Sequence, residues 1–354
     1  MINNLTYNYY KQHIDDELTK TASDIKYHQL WGDITKGIAI ILVIAGHSSF
    51  SLNINKFIYS FHMPLFFLLA GYFFNFSKYK NNFKLLVQSS GKRLLLPALL
   101  ANLFFFNFNC KKFFNNLFII LYSSGINVLK FKNSVGAAWF LPCLFLVRIF
   151  LWLFLKLTEK FKTNDFINCL IAFAITGIGV FIGQYVKLPW SLDISLAVLY
   201  ISYIGYLLNK YSYFKKRILL IITIISAIIC SYIEYNQYSF PFELNNRIYT
   251  NPLLSINTAI GLSIIVIEFS MLLEKIKITY LNLFLKYLGI NSLIILLVHG
   301  LAYSHKSALY CTLWRLFISI IIIEILALIP ATKKIFSAVS IVSIFKEYKQ
   351  NKSI

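Results

Sequence analysis

The chain has 354 residues, of which 58% are hydrophobic and only 14% are charged. Soluble domains carry about 25% charged residues, so this composition excludes an ordinary water-soluble enzyme. The formal net charge of +20 could indicate nucleic-acid binding, but Lys and Arg are spread between apolar segments rather than gathered on one face. We therefore expect the lipid bilayer as a partner, and no nucleic acid.

Runs of about 17–25 apolar residues are long enough to cross a bilayer as helices. Such runs are predicted over residues 35–52, 57–74, 94–109, 136–156, 166–183, 194–209, 218–233, 256–273, 287–304 and 313–330. Residues 113–125 are too short and too rich in Asn, so an interfacial helix is predicted there. An additional crossing at that point would invert the topology of all that follows. The predicted fold class is all-α, a polytopic membrane bundle of about ten transmembrane helices.

The distribution of positive charge predicts the orientation, because cytoplasmic loops are enriched in Lys and Arg. Most Lys and Arg residues fall in cytoplasmic segments when the N-terminus is placed inside. Both termini are therefore predicted to be cytoplasmic. The predicted organisation is an N-terminal tail over residues 1–32, one transmembrane domain over 33–330 and a basic C-terminal tail over 331–354.

Five cysteines are scattered along the chain without the spacing of a metal site, namely Cys110, Cys143, Cys169, Cys230 and Cys311. Their odd number does not fit a disulfide framework. We interpret them as buried thiols, and no metal site is predicted.

Three histidines lie inside apolar segments: His47, His62 and His299. An imidazole in hydrocarbon is costly unless it faces a partner or a wet cavity. With a rise of about 1.5 Å per residue, all three are predicted in the outer half of the membrane, and Lys36 at the cytoplasmic end of the first helix. One such histidine could simply bond to a neighbouring helix, and Lys36 could extend to lipid headgroups. Three at one level favour a functional site.

Ten residues separate Lys36 from His47, and residues 61–67 of the next segment read FHMPLFF. In these motifs the first two segments resemble the membrane-bound acyltransferase family 3, in particular its branch of fucose 4-O-acetylase-like acetyltransferases. Lys36 and His47 reproduce that family's basic residue, ten intervening residues and histidine. Asp33 and Gly37 fit its D-x-x-K-G lead-in. Residues 61–67, FHMPLFF, match the second-helix signature of the branch.

The resemblance extends from about residue 28 to about residue 305. It continues through residues 92–97 (KRLLLP), 139–142 (WFLP), 188–193 (LPWSLD), 244–247 (LNNR) and 288–292 (LGINS), the last leading to His299. Many relatives carry two arginines three apart before the third helix. Here Ser90 stands three residues before Arg93, and Lys92 is the candidate substitute.

The resemblance implies an O-acetyltransferase that moves an acetyl group from cytoplasmic acetyl-CoA to a sugar hydroxyl, at the inner (plasma) membrane of a bacterium. The acceptor could be O-antigen, capsule, another surface glycan or a lipid-linked intermediate. CoA carries several negative charges, which Lys36, Lys92 and Arg93 would attract.

A sugar hydroxyl is a poor nucleophile and needs a base with a pKa near the working pH, which imidazole supplies. His47 is the candidate base, either for direct transfer or for a covalent acyl-histidine relay. Lys36 and His62 complete the catalytic candidates. Asp33 could orient Lys36 or cap the first helix. His62 could position the acceptor or the thioester, or only fix the bend at Pro64.

Candidate substrate-binding residues are Trp139, Trp190, Asp193, Arg247 and His299. The two tryptophans could stack on a sugar ring or belong to the interfacial aromatic belt. Three further charges lie deep in apolar segments, Arg148, Glu268 and Glu324, and could pair within the bundle or line a cavity. Arg148 and Glu268 both fall toward the cytoplasmic side, where a structural ion pair is expected.

The main alternative is a secondary transporter or a flippase for lipid-linked sugars. Such folds often show inverted repeats or helices broken at matching positions of two halves. The sequence shows no such symmetry, and two of the three intramembrane histidines lie in the first quarter of the chain. We therefore favour an enzyme.

Overall fold

The computed structural model describes residues 30–105, 113–124, 136–237, 242–302 and 307–352. Within these ranges the chain is almost entirely helical, which confirms the predicted all-α class. Most of the predicted N-terminal tail, and Cys110, lie outside the described residues. Cys143 and Cys311 are buried, as predicted, whereas Cys169 and Cys230 are half-buried.

The helices follow one another through short connections. They are α1 (Leu30–Gly46), α2 (Leu52–Tyr72), α3 (Phe76–Tyr79), α4 (Phe83–Ser90), α5 (Leu96–Phe105), α6 (Phe113–Tyr122), α7 (Phe140–Phe161), α8 (Asp165–Tyr185), α9 (Leu192–Ala197), α10 (Leu199–Lys210), α11 (Arg217–Gln237), α12 (Pro252–Ile276), α13 (Thr279–Ile290), α14 (Ser292–Val298), α15 (Ala308–Leu328), α16 (Pro330–Phe336) and α17 (Ile341–Lys352). A π-helical turn lies at Gly91–Leu95, and 3-10 turns lie at Gly136–Trp139, Pro189–Ser191, Tyr213–Lys215 and His299–Leu301. The strands β1 (Phe242–Glu243) and β2 (Ile248–Tyr249) form an antiparallel hairpin with Phe242 opposite Tyr249.

Asparagine side chains begin several of these helices. The Asn164 amide oxygen accepts the backbone N–H of Ile167 at 2.9 Å at the start of α8. Asn251 caps α12 in the same way, and Pro252 occupies the first turn, where its missing N–H costs nothing. These local signals fix where the helices begin, independently of the tertiary packing.

Five helices of the described ranges are long and apolar enough to cross a membrane: Gly136–Phe161, α8, Arg217–Asn236, α12 and α15. Two further spans are possible if the bent pairs Pro189–Ala197 with α10, and α13 with Ser292–Leu301, each count as one. The protein is therefore a multi-pass helical membrane protein. The other predicted spans coincide with α1, α2 and α5, which are shorter or more polar, and the count of ten stays a prediction.

The segment predicted as interfacial contains α6, a helix of 10 residues. At about 1.5 Å per residue it reaches roughly 15 Å, about half of the hydrocarbon thickness. A helix is therefore confirmed here, and it is too short to cross alone.

Glycines let the helices α2 and α10 meet backbone to backbone. A Cβ at Gly71 would lie 1.8 Å from the carbonyl oxygen of Ser202, and a Cβ at Gly205 would lie 2.0 Å from that of Leu68. No larger residue fits at either position without separating the helices. Small residues at such crossings are the usual means by which membrane helices pack closely.

Helices α1 and α13 cross in the same manner. A Cβ at Gly37 would lie 2.2 Å from the carbonyl oxygen of Leu285, and one at Gly289 would lie 1.9 Å from that of Asp33. The first helix, which carries Lys36, is thereby held directly against α13. Because α13 continues through a 64° bend into α14, this crossing also sets where His299 lies.

The residues after α15 fold back onto the bend between α13 and α14. The Asn291 side chain pairs with the backbone of Val339, donating to its carbonyl and accepting from its N–H, both at 3.0 Å. Glu324 accepts the Tyr287 hydroxyl at 2.7 Å and the Ile341 backbone N–H at 2.9 Å. The predicted C-terminal tail is thus folded, through residue 352, as the docked helices α16 and α17.

The expected ion pair between Arg148 and Glu268 is wrong. The Arg148 Nε donates to Ser90 Oγ at 3.0 Å, and the guanidinium lies 5.4 Å from the Phe74 ring centroid. Glu268 instead lies 3.9 Å from Arg217. Helix α7 packs on the π-helical turn and α12 packs on α11, so the two charges face different neighbours.

We predict that Gly71→Ala destabilises the protein by about 1–3 kcal/mol, because the added methyl overpacks the crossing with α10. The measurement is thermal unfolding of the detergent-solubilised protein. Gly177→Ala is the matched control: a Cβ there meets no atom within 4 Å, so its stability should be unchanged or rise by up to about 1 kcal/mol. Equal melting temperatures for Gly71→Ala and the wild type would contradict the crossing.

Reporter fusions test the predicted orientation. Fusions in residues 75–93 and 210–217 should be active only as cytoplasmic reporters, whereas fusions near Pro189 and Asn246 should report the outer side, because Lys and Arg favour the cytoplasm. An outside signal from residues 210–217 would mean that the segment around α6 crosses the membrane.

Candidate functional site

Two of the predicted histidines meet where α1 and α14 end. His47 follows Gly46, the last residue of α1, and His299 opens the 3-10 turn after α14. Their rings are stacked, with centroids 5.1 Å apart and planes 15° apart. His47 is exposed, whereas His299 is buried. The exposed imidazole is the member of the pair that a substrate can reach.

Tyr59 connects the third histidine to this pair. It lies one helical turn before His62 in α2, and the two rings meet edge to face with centroids 5.0 Å apart. The Tyr59 hydroxyl lies 3.2 Å from the Gly46 carbonyl oxygen and 3.4 Å from His47 Nδ1. The structure therefore brings His47, His62 and His299 into one cluster, which we call the histidine cluster together with Tyr59.

Backbone carbonyls set the tautomers of the two buried histidines. His62 Nδ1 lies 2.7 Å from the Ile58 oxygen, and His299 Nδ1 lies 2.9 Å from the Leu296 oxygen. A carbonyl oxygen only accepts, so we assign the proton to Nδ1 in both rings and the lone pair to Nε2. Donation from Tyr59 to the Gly46 carbonyl leaves the phenol oxygen able to accept Nδ1–H of His47, which likewise leaves its Nε2 as the basic atom.

Lys36 pairs with Asp33 within α1. Lys36 Nζ lies 2.6 Å from Asp33 Oδ1, and Asp33 is buried, whereas about a quarter of the Lys36 side chain is exposed. Asp33 lies inside the helix rather than before it, so the alternative that it caps α1 is wrong. Lys36 and His47 are separated along α1 by roughly 16 Å at 1.5 Å per residue.

Lys92 and Arg93 are exposed on the π-helical turn Gly91–Leu95. Turns of this kind are rare and occur frequently at functional sites. The turn packs against α7 and α16, and α16 carries two further exposed lysines, Lys333 and Lys334. This part of the surface is therefore strongly positive, whereas Lys36 lies on α1 beside α13.

The two predicted sugar-stacking tryptophans differ in environment. Trp139 is only 4% exposed, so both faces of its ring are covered. Trp190 is half-buried, its Nε1 donates to the Leu121 carbonyl at 2.7 Å, and its backbone is left-handed at φ 56°. Of the two, Trp190 is the residue whose ring is accessible.

Asp193 and Arg247 bind each other in the interior. Arg247 Nε lies 2.9 Å from Asp193 Oδ2, and both side chains are almost completely buried. Arg247 also donates to the Asn245 carbonyl at 2.8 Å and to Ser124 Oγ at 3.0 Å, and Asp193 accepts the Leu188 N–H at 3.2 Å. The pair ties the turn before α9 to the β1–β2 hairpin, and a role in substrate binding stays a prediction.

Sequence reasoning missed three polar groups around the histidine cluster. Tyr59 gave no distinctive signal, since the chain contains 23 tyrosines. Arg315 lies on α15, and its Nη1 donates to the backbone oxygen of His47. Its position inside the apolar run 313–330 could have identified it from the sequence, since charges within a membrane span are rare. Glu243 on β1 acts electrostatically on Tyr59, and burial raises the pKa of its carboxyl group.

A family model described as an acyltransferase domain matches residues 29–333, a range that contains every candidate site residue. The chain belongs to acyltransferase family 3. The predicted family is thus confirmed, and the protein is an acyltransferase with a multi-pass membrane domain. No curated protein and no solved structure gives a significant match to the chain. Within the described ranges, no group of His, Cys, Asp and Glu could hold a metal ion.

We predict that Arg247→Met destabilises this acyltransferase by about 3–5 kcal/mol, because it leaves the Asp193 carboxylate buried without its cation. The double variant Asp193→Leu with Arg247→Met should lose less than the sum of the two single variants. Thermal unfolding in detergent measures all three.

Lys210→Met is the control, since it removes a partly exposed ion pair with Asp165 worth at most about 1 kcal/mol. If Arg247→Met kept the wild-type melting temperature and lost only acceptor binding, the pair would be a substrate site rather than a structural tie.

Proposed function

We propose that this family 3 acyltransferase is an O-acetyltransferase of the fucose 4-O-acetylase-like branch. It moves an acetyl group from cytoplasmic acetyl-CoA to a hydroxyl of a cell-surface or lipid-linked sugar, at the inner membrane of a bacterium. The observation that carries the proposal is the exposed His47 imidazole, which stacks on His299 and contacts the Tyr59 hydroxyl directly after the helix that carries Lys36.

The donor is assigned to the cytoplasmic end of α1. Lys36 lies at a partly exposed position, where its ammonium pairs with the buried Asp33 carboxylate. Lys92 and Arg93 extend from the π-helical turn into solvent, where they attract the phosphates of CoA. Lysine offers a point charge without the bidentate fork of arginine, so Arg93 is the better phosphate ligand of the two.

We place the acetyl-transfer step at the other end of α1, where His47 follows the last residue of the helix. His47 Nε2 takes the proton of the sugar hydroxyl as its oxygen attacks the thioester carbonyl carbon, and the same nitrogen returns the proton to the departing thiolate sulfur. Tyr59 holds Nδ1 and so keeps the basic nitrogen toward the substrate. A covalent acyl-histidine relay would use the same atom as nucleophile.

His299 and His62 support this base from different sides. His299 stacks on His47 and limits its rotation. His62, fixed on the Ile58 carbonyl, packs its ring against Tyr59 and so holds the phenol in place. The metal-free acyl transfer proposed here needs no further cofactor than acetyl-CoA, since the thioester is already activated.

The acceptor is assigned to the outer end of the bundle. Trp190 offers an accessible ring face for a sugar, and the β1–β2 hairpin lies against α2 near the histidine cluster. Lipopolysaccharide O-antigen, capsule and lipid-linked intermediates all present suitable hydroxyls. A flippase without acyl transfer is the second candidate, favoured only by the bent helix pairs around Val198 and Asn291.

Mass spectrometry of surface glycans from cells with and without the protein separates the two candidates. The acetyltransferase predicts a mass increase of one acetyl group per modified sugar, and the modification should disappear with the protein. An unchanged glycan mass together with altered export of a lipid-linked sugar would favour the flippase.

We predict that His47→Ala lowers acetyl transfer by about 10²–10⁴-fold while expression and acetyl-CoA binding stay largely intact, because general-base catalysis contributes this much. Lys36→Ala should instead raise the KM for acetyl-CoA, because it removes charge that attracts the donor. The assay is transfer of radiolabelled acetyl from acetyl-CoA to extracted glycan by membranes carrying each variant, across a donor titration.

Raising the donor concentration should partly rescue Lys36→Ala and should not rescue His47→Ala. Lys56→Ala is the matched control. Lys56 lies near the start of α2, at the membrane face opposite Lys36 in the predicted topology, so this variant should keep the wild-type KM for acetyl-CoA. Normal turnover by His47→Ala would contradict the role of His47 as general base. Equal rescue of both variants by the donor would contradict the assignment of donor binding to Lys36 and catalysis to His47.

A further inference from the structure

Arg315 is a buried cation without a buried anion beside it. It lies about two turns into the apolar helix α15 and is only 9% exposed. Within the described part of the chain, no carboxylate lies within ion-pair distance of its guanidinium. Burying an uncompensated charge in a membrane bundle is expensive, so such a residue marks a functional position.

One hydrogen bond directs this side chain toward the histidine cluster. Arg315 Nη1 donates to the backbone oxygen of His47, which fixes one edge of the guanidinium. The Nε–H is buried and has no hydrogen-bond partner among the residues that the structure describes. The positive charge lies close enough to act on the imidazoles of both His47 and His299. A fixed donor with an unused N–H beside the candidate base is the arrangement that an anion requires.

We infer that Arg315 binds the oxyanion that forms on the thioester carbonyl during acetyl transfer. This inference rests on the proposed function. A guanidinium keeps its charge in an apolar environment and holds several donors in a rigid fork. One donor is used on the His47 carbonyl, and the Nε–H, which has no partner among the described residues, can receive developing negative charge beside His47.

The step balances with the groups already assigned. The sugar oxygen forms a bond to the carbonyl carbon as its proton passes to His47 Nε2, and the carbonyl π electrons move onto oxygen, which becomes the oxyanion held by Arg315. When the oxyanion collapses, the carbon–sulfur bond breaks, and the thiolate receives the proton from His47. The products are the acetyl ester and free CoA thiol. Donors placed in advance at an oxyanion are worth about 10²–10³ in kcat each.

Arg315 could instead serve only to anchor the His47 backbone, and the two roles need different chemical groups. Anchoring needs only one N–H donor to the His47 carbonyl, which the amide of a glutamine also supplies. Oxyanion binding needs the positive charge and the free Nε–H, which glutamine lacks. The variants Arg315→Gln and Arg315→Lys therefore separate the two roles.

The test compares these variants with the wild type and with Arg217→Gln, which removes an arginine whose side chain is 67% exposed. Each purified protein is assayed by CoA thiol release with acetyl-CoA and with fluoroacetyl-CoA, using glycan extracted from cells lacking the protein as acceptor. Arg315→Gln should lower kcat with acetyl-CoA by about 10²–10³-fold and leave the KM for the donor within about twofold. Arg217→Gln should match the wild type.

Fluoroacetyl-CoA supplies the decisive readout. Fluorine stabilises the oxyanion through its own electron withdrawal, so the loss caused by Arg315→Gln should shrink with this donor. Arg315→Lys, which keeps the charge without the fork, should fall between Gln and the wild type. If Arg315→Gln fails to give a monodisperse protein, the same donor comparison is made with Arg315→Lys.

Several outcomes would overturn the inference. If Arg315→Gln kept the wild-type kcat, Arg315 would only anchor the His47 backbone. The same conclusion would follow if the variant lost kcat equally with acetyl-CoA and fluoroacetyl-CoA. A defect confined to the KM for the glycan would mean that Arg315 binds a carboxylate of an acidic sugar. Absence of thiol release by the wild type would overturn the proposed function and this role with it.

Discussion

The whole arrangement depends on the close approach of α1 to α13, where Gly37 and Gly289 let the two backbones touch. In a bilayer there is little hydrophobic force between helices, so van der Waals contact of this kind determines their positions. The crossing buries Asp33, and Asp33 holds Lys36. The bend of α13 into α14 then returns the chain so that His299 reaches the end of α1 and stacks on His47. Both proposed ends of the reaction path are therefore fixed by one helix pair.

The polar groups of the bundle fall into two kinds. Asp193 with Arg247, and Glu324 with Tyr287, satisfy one another inside the protein and connect segments that are distant in sequence. The histidine cluster differs in its accessibility, because the His47 imidazole is exposed beside the buried Arg315. Satisfied pairs stabilise an apolar bundle, whereas a buried donor such as the Arg315 Nε–H costs free energy that a bound transition state can recover.

Local sequence patterns predicted the helices and several residues of the site. The lengths of the apolar runs predicted the helices, since an α-helix needs only its own hydrogen bonds within a bilayer. The spacing of Lys36 and His47 placed them at the two ends of the first segment, and the intramembrane histidines indicated the site. The wrong prediction concerns partners, namely the ion pair expected between Arg148 and Glu268. Such a pairing depends on which helix packs beside which, and no local pattern encodes that.

The sequence by itself determined that this is a helical membrane protein of acyltransferase family 3, with a basic residue near the start of its first helix and a histidine at the end. Those properties follow from composition, helical periodicity and short motifs, which act over a few residues. Only the tertiary structure decided that His47 stacks on His299, that Tyr59 joins His62 to them and that Arg315 reaches the backbone of His47. These contacts join residues up to 268 positions apart, and they form because glycine crossings and bent helices bring distant segments to one place.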